Sequence, residues 1–289
     1  MHNTQEIEKI LKIGIYSGLL KNEKPLSIFL VANAGSGKTS LLNQFESPTI
    51  WNVSDISQKS IAEELGKKND KGVTHIVMGD FIAVQSHGYA TVNSTVGMLN
   101  RLIEEGILNE RFYGQNITLD KKAVIGLITS TTIDKFEDLF VRYSDIGFFD
   151  RILPAFYKLS DKSITEINER MKKEIKDYTK IKLKMGKKKI EVKIPLGLIA
   201  DSVQVYAKQI TFLQNNFKVI RHGRDGRKYF TTTDSNGIRM HKMLRVMAKS
   251  IAIMNRGINV KEVDNSDIKV LDSIYKYVGL RAKQDITEI

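Results

Sequence analysis

The residues with the clearest chemical potential lie in IFLVANAGSGKTSLL, Ile28 to Leu42. An apolar run leads into a glycine-containing turn, a lysine and two hydroxyl residues. Such a turn between a strand and a helix leaves several backbone N–H groups facing one point, where an anion binds. A lysine at its end reaches the β- and γ-phosphates of a nucleotide, and the hydroxyl after it holds Mg²⁺. Ala34, Gly35, Ser36, Gly37, Lys38, Thr39 and Ser40 are therefore the expected phosphate cradle, with ATP and Mg²⁺ as the expected ligands. Ala32 stands where the first glycine of such loops is usual. It falls at the strand end, where an alanine with negative φ fits.

The cradle needs an acid at the end of a neighbouring apolar strand to help hold the metal. HIVMGDF supplies Asp80, so Thr39 and Asp80 form the expected metal pair. The next residue is Phe81, where many ATPases of this layout place the glutamate that polarises the attacking water. Glu104 and Glu105 are the nearby acids that could replace it, and ordinary surface glutamates are the alternative. A further apolar run ends in Thr-Ser-Thr-Thr, 129–132, and there Thr129 and Ser130 are candidates to meet the γ-phosphate or the water.

These residues need a scaffold. Apolar runs at Ile28–Ala32, Thr49–Val53, Thr74–Met78, Ala123–Thr129 and Ile152–Leu159 read as five buried strands. Helical patterns separate them, at Thr39–Phe45, Ser57–Lys68, Thr91–Glu105 and Asp134–Tyr143, after an amphipathic helix at 4–21. That alternation predicts an α/β fold, a five-stranded parallel sheet with helices on both faces, over about residues 1–160. Residues 161–289 read differently, as helices at 162–176, 196–215, 237–256 and 264–277 with two β-hairpins inserted. One hairpin spans 178–195 and turns at Met185-Gly186; the other lies in FKVIRHGRDGRKYFTTT and turns at Asp225-Gly226.

Charge divides at the same place. Residues 161–289 hold 28 Lys and Arg against 15 Asp and Glu, and the first 160 hold 17 against 18. A neutral part joined to a basic part points to a polyanion partner. Lys180, Lys182, Lys184, Lys187, Lys188, Lys189 and Lys193 crowd the first hairpin, with Lys180, Lys182 and Lys184 on one face of a strand. That ribbon suits a phosphate backbone and offers no geometry for reading bases. Arg221, Arg224, Arg227 and Lys228 beside Tyr229 and Phe230 suit single-strand stacking. Lysines on an exposed ribbon also discourage edge-to-edge aggregation, which is the plainer alternative. The chain has no cysteine, which excludes disulfides and thiolate chemistry. No apolar run is long enough to span a membrane, and the first residues lack the pattern of a secretory signal, so a cytoplasmic place is expected.

The order of these motifs resembles the AAA+ ATPases. The phosphate loop lies on the first strand, the acid on the third, the polar tip on the fourth, and an arginine precedes the fifth. SDIGFFDRILPAF, Ser144–Phe156, is similar to the segment in which MCM-like helicases carry an arginine finger for the neighbouring subunit. The resemblance assigns that role to Arg151, with Arg142 as the alternative. GIRMHKMLRVMAKSIAIMNRG looks like an AAA+ lid helix, which makes Arg239, or second Arg245, the match for the lid arginine that senses nucleotide. LNRLIEEG followed by YG and IGFFDRILP is also similar to ATPases of phages and mobile elements. The resemblance implies a homo-oligomer, in some relatives a hexameric ring, that hydrolyses ATP and acts on DNA with little sequence specificity as a helicase, loader or remodeller. Lys38, Asp80, Thr129 and Arg151 would be its catalytic groups. Phe81 supports a different reading, an ATP-gated switch or scaffold with little hydrolysis. A small-molecule kinase would leave the basic segments unexplained.

Overall fold

The structure, a computed structural model, describes residues 2–112, 115–159, 164–165, 169, 172, 180–183, 185, 188–215, 218–222, 228–232 and 237–279. Five parallel strands form the central sheet: β1 (Ser27–Val31), β2 (Ile50–Val53), β3 (His75–Met78), β4 (Gly126–Thr131) and β5 (Ile152–Phe156). Their order across the sheet is β2-β3-β4-β1-β5. The register aligns Ile28 with Ile128 and Leu153, so β1 lies between β4 and β5. Both faces are covered, which is why these strands are apolar throughout instead of alternating.

Side chains alternate across a strand, and here the alternation separates two cores. Ile28 and Leu30 join a cluster with helix α1 (His2–Ser17), helix α2 (Lys38–Asn43) and the C-terminal helices. Phe29 and Val31 face the other way, towards α3 (Gln58–Asp70), α4 (Tyr89–Glu104) and α5 (Ile133–Tyr143). That second core is rich in aromatic rings: Phe29 lies 5.3 Å from Phe81, 5.9 Å from Phe136 and 5.6 Å from Phe149. Ser57 caps α3 in a reciprocal pair with Ser60, which fixes where the helix leaves β2.

The C-terminal helices are α6 (Leu198–Asn215), α7 (Ile238–Arg256) and α8 (Asn265–Ile274). Ile7, Ile10 and Leu11 of α1 share one hydrophobic cluster with Met240, Leu244 and Ile251 of α7. A single core thus bridges the expected division at residue 160. Asp264 and Asp267 cap α8 reciprocally, and Arg256 at the end of α7 pairs with both carboxylates.

Three local expectations change. The run expected as a strand at Ala123–Thr129 is divided: Ala123 ends a hairpin, and β4 runs Gly126–Thr131. That hairpin, Ile107–Phe112 with Gln115–Ala123, is absent from the sequence reading. Gly106 at φ 72 makes the turn into it from α4. The first basic hairpin is not formed by the described residues of 178–195. Ile181–Lys182 pairs in parallel with Phe45–Glu46, Ile190 bridges to Leu20, and Lys193 bridges to Glu262. The reason is burial: Leu183 and Val192 enter the core, so the segment lies as a strap along the protein instead of folding back on itself. The second hairpin is present, Lys218–His222 antiparallel to Lys228–Thr232, while its expected turn at Asp225-Gly226 lies outside the described residues. Most of the expected 162–176 helix also lies outside them. Among the described residues, no helix is long and apolar enough to cross a membrane.

Candidate functional site

The C-terminal edge of the sheet carries the phosphate loop. The chain leaves β1 at Val31, turns through Ala32–Gly37 and enters α2 at Lys38. Gly35 at φ 71 and Gly37 at φ 75 make the left-handed bends that an L side chain resists. Asn22 is the only non-glycine with positive φ among the described residues, so Ala32 has the negative φ its place requires.

The loop sorts its polar groups. The Lys38 ammonium donates to the carbonyls of Asn33 (2.8 Å) and Ala32 (3.2 Å), Ser36 Oγ donates to Asn33 O (2.7 Å), and Tyr157 donates to Ser36 O (2.8 Å). The carbonyls of Ala32, Asn33 and Ser36 are thus each held by a side-chain donor. Among the described hydrogen bonds none is donated by the N–H groups of Ala34, Gly35, Ser36 or Gly37. Loop amides left open beside a lysine at the start of a helix form an anion nest. Burial lowers the Lys38 pKa, partly offset by the Asp80 carboxylate across the site.

Asp80 follows β3 and accepts a hydrogen bond from Ile82 N at 3.0 Å. Thr39 packs against Gly79: a Cβ at residue 79 would lie 2.9 Å from Thr39 Cγ2. The hydroxyl-bearing side chain and the acid of the expected metal pair are therefore neighbours, and this hydroxyl–carboxylate set suits a hard cation such as Mg²⁺. Ser40 follows Thr39 on the exposed start of α2.

Phe81 is fully buried between Phe29 and Phe148, so the position after Asp80 is a core position. At the tip of β4, Ser130 Oγ donates to Gly79 O at 2.5 Å and ties the tip to the strand that bears Asp80. Thr129 and Thr131 face the other way, both fully buried, and their hydroxyls have no hydrogen-bond partner among the described residues. The sequence reading named Thr129 and passed over Thr131, which lies nearer the strand end and carries the same unpaired hydroxyl.

The opposite edge of the sheet holds a different set. Arg151 precedes β5, and its guanidinium bonds back to the carbonyl of Gly147, with its Nε 3.9 Å from Glu104. Arg239, at the start of α7, pairs with Asp150 at 2.9 Å. Lys24 donates to Glu104 at 2.7 Å. Burial alone would raise the Glu104 carboxyl; the Lys24 hydrogen bond and the charges of Lys24, Arg151 and Arg239 outweigh it and hold the pKa low. These groups line a cavity of about 730 Å³ with Ser27, the first residue of β1, and Lys242. β1 has five residues, so roughly 16 Å of strand separates this cavity from the phosphate loop. Glu104 and Glu105 end α4 at this far edge and cannot serve as a base at their own chain's loop. Arg142, the alternative finger, bonds to Gln85 at 3.1 Å, and Arg245 lies beside His241.

The basic residues are divided as well. Lys180 donates to Asn43 O (3.0 Å) and pairs with Glu46 (3.3 Å), and Lys189 tucks its ammonium against Gly18 O, where burial lowers its pKa. Lys182, Lys188 and Lys193 are exposed, and so is Lys189 as a whole residue, with its ammonium covered at Gly18. Lys184, Lys187, Arg224 and Arg227 lie outside the described residues.

No family model matches the chain, and no curated protein matches it. Among solved structures it is similar to a full-length MCM homolog from Methanopyrus kandleri, at 11% identity and a TM-score of 0.49, over 96% of this chain and 56% of that one. The chain thus spans about half the length of that protein.

Proposed function

We propose that the chain binds ATP with Mg²⁺ and works as an oligomeric AAA+ ATPase on DNA, as a helicase, loader or remodeller. One observation carries the nucleotide part: among the described hydrogen bonds none uses the amides of Ala34–Gly37, which stay open beside Lys38. In this reading Ala34–Ser40 embrace the phosphates, Lys38 neutralises the β- and γ-phosphates, and Thr39 and Asp80 hold the metal. Mg²⁺, when bound, neutralises charge that develops on the transferred phosphoryl group. Ser130 keeps the β4 tip aligned with Asp80, and Thr129 and Thr131 offer hydroxyls near that tip.

Arg151 and Arg239 are too far from their own loop to meet its nucleotide, and they share one cavity. In this reading a second copy would present its nucleotide to this edge, with Arg151 stabilising transition-state charge in trans. Lys182 and Lys188 on the strap, with the arginines of the second hairpin, would hold the DNA backbone.

Phe81 favours a second reading. A ring sealed in the core gives no base, which fits an ATP-gated switch that assembles on binding and turns over slowly. The two readings separate on the ATPase rate measured with and without single- and double-stranded DNA, together with the mass of the assembly formed with a slowly hydrolysed analogue. The first expects assembly and DNA-stimulated turnover; assembly with turnover indifferent to DNA selects the switch; a monomer with no DNA response removes the oligomeric ATPase.

A further inference from the structure

Tyr157 follows β5 and is almost fully buried at 1% exposure. Its backbone N–H donates to Val31 O, and its ring sits in the core cluster shared by α1 and α2. A buried phenol needs a partner for its hydroxyl. Tyr157 finds it 121 residues earlier, in the carbonyl of Ser36, at 2.8 Å. The peptide unit is planar and trans, so the carbonyl of residue 36 and the N–H of residue 37 point in opposite directions. A hydroxyl that holds Ser36 O therefore turns the Gly37 N–H away from Tyr157.

We infer that Tyr157 is a positioning residue of the phosphate loop, fixing the 36–37 peptide so that the Gly37 N–H faces the bound phosphates. The inference rests on the nucleotide-binding reading above. The other ties on the loop's carbonyls come from inside the loop, from Ser36 and Lys38. The Lys38 ties are given up when its ammonium turns to the phosphates. The Tyr157 bond comes from outside and involves no group that the nucleotide requires, so it holds the loop in both states. Gly37 at φ 75 has the freedom to flip this peptide, and that is where an external restraint has most effect.

Tyr157→Phe keeps the ring in the core and removes only the hydroxyl. Titration calorimetry on the full chain should show the Kd for MgATP rising about fivefold, the equivalent of one ordinary hydrogen bond. Binding of tripolyphosphate should weaken by the same factor, with binding of adenosine unchanged and the melting temperature without nucleotide within a few degrees of the parent. Lys38→Ala is the companion variant. If it loses MgATP while Tyr157→Phe binds like the parent, the positioning role is overturned and the nucleotide site stands. If Lys38→Ala binds MgATP as the parent does, the nucleotide reading falls and the inference with it. An equal weakening of adenosine would mean general loosening of the fold and would also overturn the role.

Discussion

The two edges of the sheet treat charge in opposite ways. At the C-terminal edge the donors are left open: loop amides with no partner among the described residues and a lysine resting on carbonyls that it can leave. At the N-terminal edge the two arginines already have acceptors, Arg151 in the Gly147 carbonyl with Glu104 at 3.9 Å and Arg239 in Asp150, although Arg151 Nε makes no hydrogen bond among the described residues. An open nest binds its anion alone, because nothing has to be displaced. A matched cluster keeps its arginines in place without the anion and engages one only when it outcompetes the carboxylates. On the proposed reading, one edge is a receptor and the other a set of held cations that needs a phosphate brought to it.

The largest effect that tests this contrast is Arg151→Ala. A trans finger stabilises the transition state and not the resting nucleotide. The ATPase rate per subunit should fall about 10³-fold, roughly 4 kcal/mol in the barrier. MgATP affinity measured on the same preparation should stay within twofold. Mixing the variant with Lys38→Ala should restore some turnover, since each supplies the edge that the other lacks. Loss of ATP affinity in Arg151→Ala would break the contrast, because it would place the arginine at its own chain's loop.

How far the sequence reaches depends on how local each feature is. GSGKTS, the buried strands and the Phe81 departure are legible because their meaning is contained in runs of six or seven residues. The hairpin at 107–123 is missed because ILNERF and QNITLDKKA carry charges that break the apolar alternation a strand is recognised by. The strap is misread for a different reason. Its lysines alternate as a free ribbon would, but the hydrogen bonds go to Gln44, Glu46 and Leu19, more than 130 residues back in the chain. Arg239 with Asp150 and Tyr157 with Ser36 are separated by 89 and 121 residues, so no spacing in the sequence announces them.

The edges should also differ in response to acid. His75 begins β3 at the N-terminal edge, wholly buried, with Nε2 3.2 Å from Leu26 O and Nδ1 3.0 Å from Thr74 Oγ1. A carbonyl only accepts, so Nε2 carries a proton, and burial disfavours a second proton on Nδ1. Burial, outweighing the Leu26 hydrogen bond, pushes its pKa down from 6.5 to about 3. Between those values the unfolded chain binds a proton that the folded chain does not, so stability falls as pH falls, by about 1.4 kcal/mol per unit. From pH 7 to pH 5 denaturant melts should lose roughly 2 kcal/mol. His75→Gln, which retains a donor and an acceptor, should flatten that slope. An unchanged slope would mean that His75 is protonated in the folded chain.

The smallest effect expected is the most exacting test of a poised edge. The Arg239–Asp150 pair is about half exposed on both sides, and such pairs contribute less than about 1 kcal/mol. Asp150→Asn should therefore lower the melting temperature by no more than about 2 °C. It should leave MgATP binding at the loop unchanged. A cycle with Arg239→Ala should give a coupling well under ~1 kcal/mol, weak enough for an incoming phosphate to take the arginine. A coupling of several kcal/mol would show a locked pair, and Arg239 would then be part of the framework that docks α7 against the sheet, with the cavity's remaining cations left to meet any phosphate.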